Sequence, residues 1–182
     1  MTTMLSAPQS AQAIGLCCWF EQQVFALLGS WITEIGESGP KLAMLELSDH
    51  AAWRAKRWYE LLPTAPPGAD AHLGGTEALE ALVLSAHSVD GNANTIEKFV
   101  VAETLLGLLA QSVAELSERT TEIAGAAVRR IAGIVATDLD IDLASCRLVL
   151  SASETGPDPE LLAGFDQLRG PFETASTLEF LH

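Results

Sequence analysis

Three carboxylates stand where apolar side chains belong. Read at every third or fourth position, the stretch 14–35 gives Ile14, Cys18, Glu21, Phe25, Leu28, Ile32 and Ile35. That is an inward helical seam interrupted only by Glu21. The same spacing gives Ile96, Phe99, Glu103, Leu106, Ala110 and Val113, and later Ile123, Ala127, Ile131, Ile134, Asp138, Ile141, Ser145 and Leu148. A buried carboxylate without a partner is costly. Acids from different helices that meet at mid-bundle can ligate a hard or borderline cation. A single acid can instead be neutralised by an arginine or by water. Arg54, Lys56, Arg57, Arg129 and Arg130 are the bases at hand. With neither partner, a buried Glu21 has a raised pKa and is placed for general acid–base chemistry. Glu21, Glu103 and Asp138 are thus the candidate catalytic and metal-ligating residues.

A second group lies on the second helix. Glu46, Asp49 and His50 are further ligand types there, and His87 is a more distant one. By helical-wheel count Glu46 and His50 lie more than 90° from that helix's apolar stripe. Trp53 shares their face with His50 and Arg57. An outward face carrying Trp, His and Arg is either a subunit interface or one wall of a ligand site. Trp53, His50 and Arg57 are therefore the candidate ligand-binding residues. Other motifs fail: Asp138-x-Asp140-x-Asp142 opens like a calcium loop, but Leu143 and Val149 stand where Gly and Glu are required. Cys17 and Cys18 lack metal-ligand spacing.

The elements that position these residues are helices throughout. The spacing predicts helices over 10–36, 40–62, 76–118 with a break near Gly91, and 121–152. The second carries the stripe Met44, Leu47, Ala51, Ala55, Trp58 and Leu62. Residues 63–75 are rich in Pro and Gly and read as a loop. Thirteen extended residues span roughly 43 Å, more than the roughly 33 Å of a 22-residue helix, so this loop is long enough to cross a bundle. Residues 1–9 read as a flexible N-terminus, 10–152 as the helical bundle domain, and 153–182 as a tail with a short helix near 160–167.

With these helices, the long central connection and one acid in three of the four seams, the chain resembles the ferritin-like superfamily. The resemblance covers roughly residues 10–150. It implies an all-α, ferritin-like four-helix bundle with the long crossover between the second and third helices. It also implies a di-iron or di-manganese centre built from one Glu on each of two helices and Glu-x-x-His on each of the other two. Glu21 and Glu103 match the single acids. Glu46-Leu47-Ser48-Asp49-His50 places the histidine one residue late, and Asp138 to Asp142 has no histidine near. Both Glu-x-x-His elements are broken. That tips the cofactor expectation toward none, with iron or manganese as the metal if one is bound. Two functions follow as expectations: an oxidoreductase acting on or binding a small organic molecule in the bundle core, or a non-catalytic, metal-free binding or partner-interaction protein.

Composition sets bounds on partners. The chain has 182 residues, a formal net charge of −14 and 48% hydrophobic residues, with a mean hydropathy of +0.24. The acidity argues against nucleic acid and against an anionic membrane surface. The apolar content, with Trp53 on an outward face, leads to the expectation of a homodimer burying parts of the first two helices. Three cysteines offer no disulfide framework, no basic leader is visible, and no uninterrupted apolar run is long enough to span a bilayer. A reducing, cytoplasmic setting is expected.

Overall fold

The computed structural model describes residues 3–89, 94–173 and 178, and these are helical or irregular, with no strand among them. The fold is all-α. Its helices are α1 (Ala7–Trp31), α2 (Ser38–Tyr59), α3 (Glu77–Ser88), α4 (Thr95–Arg119), α5 (Ala126–Ala152) and α6 (Pro159–Arg169). The expected break near Gly91 falls between α3 and α4 and lies outside the described residues.

Local chemistry sets the helix starts. At α1, the Ser6 backbone N–H donates to Gln9 Oε1 at 2.9 Å. At α3, Thr76 Oγ1 accepts from the Leu79 N–H, as an N-cap threonine does. At α4, Asn94 Oδ1 accepts from the Ile96 N–H while the Asn94 N–H donates to Glu97 Oε2, a reciprocal capping box. Glu97 is fully buried, and its other oxygen accepts the Asp158 N–H. One side chain thus starts α4 and ties down the segment that leads into α6, where the N-cap Asp158 accepts from the Glu160 N–H and Pro159 takes the first helical position.

The four long helices close into a ring in which α1 packs on α2 and α4, and α5 packs on α4 and α2. Pairings fix their directions. Cys18 Sγ donates to Ala55 O, and Ser48 Oγ donates to Phe25 O, so α1 and α2 run antiparallel. His50 bonds Asp142 and Arg54 bonds Asp138, so α2 and α5 do too. The Leu5 N–H donates to Arg119 O at one end, and Lys98 pairs with Glu34 at the other, so α1 and α4 are antiparallel. It follows that α2 and α4 are parallel, and the chain between them must climb the bundle.

Residues 63–75 make only the first part of that climb, contrary to the expectation that they cross alone. Pro63 lies beside Ala7, Ala11 and Ile14. His72 reaches Gly15, where an added Cβ would stand 1.9 Å from the His72 carbonyl oxygen, and Gly75 lies against the Trp19 ring. From Ile14 to Trp19 is little more than one helical turn. The remaining rise belongs to α3, 12 residues or about 18 Å.

The core is filled by Phe20, Trp31, Trp58 and Phe99 among others, all fully buried. All six stripe positions of α2 are buried. The seam expected for α5 is not the one used. Ile123, Ile134, Ile141 and Leu148 are exposed, and the inward residues are Ala132, Val135, Leu139, Asp142, Leu143 and Cys146. This helix is apolar on two sides, and its smaller residues face the core. It also starts at Ala126 rather than 121, since 121–125 form a turn. Only α4 is long and apolar enough to cross a membrane among the described residues, and more than half of that stretch is buried in the bundle.

Candidate functional site

The polar centre of the bundle is an arginine held by three acids. Arg54 on α2 is fully buried, in the C-terminal half of that helix, where α1, α2 and α5 meet. Its Nε donates to Glu21 Oε1 on α1 at 2.8 Å. Its Nη1 donates to Asp138 Oδ2 at 2.7 Å and to Asp142 Oδ2 at 2.6 Å, both on α5. Asp142 Oδ1 is in turn bonded to His50 Nδ1 at 2.7 Å. Two pairs spaced four apart, His50/Arg54 and Asp138/Asp142, face each other across antiparallel helices. Residues four apart share a helix face, so all four side chains turn toward one another between α2 and α5, on two levels about one helical turn apart.

Burial differs along the cluster. Glu21 and Arg54 are sealed, Asp142 nearly so, and Asp138 and His50 form a half-exposed rim with side chains 26% and 39% exposed. Glu21 Oε2 and Arg54 Nη2 are both buried and make no hydrogen bond, so the Glu21–Arg54 pair is bonded through one arm of the fork.

The electrostatics follow from this. Burial raises the Glu21 pKa, to about 7; Arg54 pulls it down, and Asp142 and Asp138 push it further up. Burial works against the Arg54 guanidinium too, yet Glu21 and Asp142 hold its pKa above the ordinary value, so it stays charged. For His50, burial opposes the charge, but its bond to Asp142 and the fields of Asp142 and Asp138 outweigh that and raise its pKa. Burial also lifts the thiols of Cys18, to about 11, and Cys146, to about 12, and lifts Cys17 further. These thiols stay protonated, and thiolate nucleophile chemistry is not their role.

The sequence-derived candidates separate. Glu21 points into the bundle and shares Arg54 with Asp138. Glu103 does not join them. It sits on the α4–α5 side, where its Oε1 accepts from Arg147 Nε at 2.8 Å in a surface pair. His50 turns toward α5 rather than outward. Arg57 lies with its guanidinium carbon 5.7 Å from the centre of the exposed Trp53 ring and pairs with Glu60, outside the buried cluster. His87 is exposed on α3. Asp142 was missed as a site residue, although its spacing from Asp138 matches that of His50 from Arg54.

The residues present do not fit a carboxylate-bridged pair of metal ions. His50, Asp138 and Asp142 do bring three ligand atoms within 4.8 Å of one another. But one oxygen of each aspartate faces the Arg54 guanidinium, and Asp142's other oxygen faces His50. A cation there would sit beside a permanent positive charge. Glu103, the fourth acid such a centre needs, is bonded elsewhere.

No family model, curated protein or solved structure matches this chain.

Proposed function

We propose that this chain is a ferritin-like bundle in which the Arg54 guanidinium takes the place of a metal, and that it works as a metal-free partner-interaction protein rather than an oxidoreductase. The ring order α2–α1–α4–α5 and the climbing connection between α2 and α4 support the ferritin-like reading. The observation that carries the function is the set of three ion pairs on Arg54. A fixed cation is already paired with each of the acids that would otherwise recruit iron or manganese. Glu21, the acid best placed for proton transfer, is fully buried and bonded to Arg54. Of the two surface grooves, one of about 580 Å³ lined by Ala43, Leu148 and Val149 and one of about 540 Å³ lined by Trp53, Ile134, Asp138 and Ile141, neither has Glu21 in its lining. Asp138, not Glu21, is the acid of the cluster that meets the second groove.

A second reading, the oxidoreductase, draws support from the three ligand atoms of His50, Asp138 and Asp142 at the half-exposed rim. Elemental analysis separates the two. Protein purified without chelator and then equilibrated with Fe²⁺ or Mn²⁺ is expected to retain far less than one ion per chain. One or two tightly held ions per chain would overturn the metal-free reading and favour the oxidoreductase.

A further inference from the structure

The outer surface shared by α2 and α5 is unlike the rest of the molecule. Thirteen large apolar side chains are exposed among the described residues, and four of them line the grooves here: Trp53 on α2, and Ile134, Ile141 and Leu148 on α5. Single exposed apolar residues are ordinary, but a contiguous set marks an interaction surface. The two grooves described above lie along this face, one toward each end. Two adjacent helices of 22 residues or more, each 10–12 Å across, present a face of about 33 by 20 Å. That is the area class of one side of a standard stable interface, about 800 Å².

Charge on this face is divided by level. The His50–Asp142 and Arg54–Asp138 bonds fix the register of α2 against α5. In that register Trp53 and Ile141 lie within about 3 Å of one level, at 1.5 Å rise per residue. Arg57 lies about 8 Å to one side of their midpoint, and Asp49 and Glu46 lie about 5–9 Å to the other. Ile134 and Leu148, each seven residues from Ile141, lie about 9 and 12 Å from that midpoint on opposite sides. Glu46 and Asp49 are exposed, and neither pairs with a base among the described residues, while Arg57 pairs with Glu60. In a chain with only 10 basic residues, this arrangement matches itself when turned end over end.

We propose that the occupant of this face is a second copy of the chain, docked by a two-fold axis through the level of Trp53 and Ile141. The axis stacks Ile141 and Trp53 on their own copies at the centre. It sets Arg57 of one protomer against Glu46 and Asp49 of the other where α2 meets α2, and Ile134 against Leu148 where α5 meets α5. Such an isologous contact is the commonest way a soluble chain pairs. It also covers the half-exposed rim of His50 and Asp138. The proposed surface is built on α2 and α5, whereas the sequence led to the expectation of α1 and α2; of the α1 tryptophans, Trp31 is fully buried and Trp19 half-buried against the core.

The inference rests on the partner-interaction reading, and the two fail separately. A dimer that holds iron would overturn that reading and keep this one, and a metal-free monomer would do the reverse. Sedimentation equilibrium of the full chain at 20 μM is expected to give twice the 19.3 kDa chain mass. Ile141→Asp is expected to be monomeric with unchanged helix content. Leu148→Asp serves the same purpose should the first variant fold poorly. Arg57→Glu is expected to weaken association at least tenfold, and Arg57→Glu with Glu46→Arg to restore most of it. A wild-type monomer at that concentration overturns the proposal. So does a dimer that both aspartate variants leave intact, or a charge swap that restores nothing.

Discussion

Two Glu–Arg pairs in this molecule use the same atoms and have opposite surroundings. Glu21 bonds Arg54 Nε at 2.8 Å with both side chains fully buried. Glu103 bonds Arg147 Nε at 2.8 Å with the side chains 31% and 66% exposed. In sequence both glutamates stand in an apolar seam and look equivalent. The structure separates them by what lies behind each. Glu21 sits between α1, α2 and α5, where no water shares the charge, so it needs Arg54 and perturbs its neighbours. Glu103 sits at the edge of the wide apolar stripe of α4, whose centre is Ala102, Leu105, Leu106 and Leu109. Water screens it, and its partner is optional. Position within a seam, rather than residue type or bond length, decides which pair shapes the protein.

The comparison breaks most visibly at Arg54. Arg54→Ala leaves Glu21, Asp138 and Asp142 facing one another without a cation. Loss of one member of a buried ion-pair network costs about 3–5 kcal/mol. In a chain of this size that lowers Tm by roughly 10 °C, readable by circular dichroism. A loss below about 1 kcal/mol would show that Arg54 is no hub.

A pH series sharpens the contrast. Glu21 has a folded pKa of about 7, raised above the 4.5 of the unfolded chain. The folded state therefore holds the proton more tightly, and this group makes folding less favourable as pH rises from about 4.5 to 7. His50 is raised as well, so its contribution is full below the unfolded value of 6.5 and is lost as pH rises through its folded pKa. Both act in one direction. Stability is expected to fall between pH 5 and pH 8, by on the order of 2–3 kcal/mol from Glu21. Glu21→Gln is expected to remove most of that slope and to be neutral or slightly stabilising at pH 8. A wild-type profile that is flat or rises over this window contradicts the burial argument.

The smallest effects belong to the surface pair. Glu103→Ala, Arg147→Ala and the double variant are each expected to change stability by less than about 1 kcal/mol, with a coupling energy of about 0.2–1 kcal/mol that 0.5 M salt reduces. A coupling as large as that of the buried pair would erase the distinction.

The sequence carries some of this plainly. The six-residue stripe of α2 is buried throughout because that helix has one apolar face and one charged face, and period alone selects it. The all-helical class, the N-cap at Thr76 and the short helix after Pro159 follow from similarly strong local signals. On α5 the signal was ambiguous. Ile134, Ile141 and Leu148 form as good a periodic set as Val135, Leu139 and Cys146, and counting large apolar residues favours the wrong one. Choosing that seam admitted Asp138 but left out Asp142, which faces the core one residue beyond Ile141. Arg54 was legible only as one of several possible neutralisers. Its role depends on α5 packing antiparallel to α2 in one register, a tertiary fact that no single-helix pattern contains. Glu103 was placed in the centre because a stripe as broad as that of α4 does not show its own edge.

The claim that Arg54 is the cation on which this acid cluster is built has one direct test. Removing the guanidinium leaves Glu21, Asp138, Asp142 and His50 as a vacant carboxylate–imidazole set, so a divalent ion should replace what the mutation took away. Thermal melts of wild type and Arg54→Ala, with and without 1 mM Mn²⁺, read this out through binding linkage. The expected result is a wild-type Tm that Mn²⁺ leaves unchanged and an Arg54→Ala Tm that is lower in its absence and rises by several degrees in its presence. A wild-type Tm that rises with Mn²⁺, or an Arg54→Ala variant that is indifferent to it, would contradict the assignment.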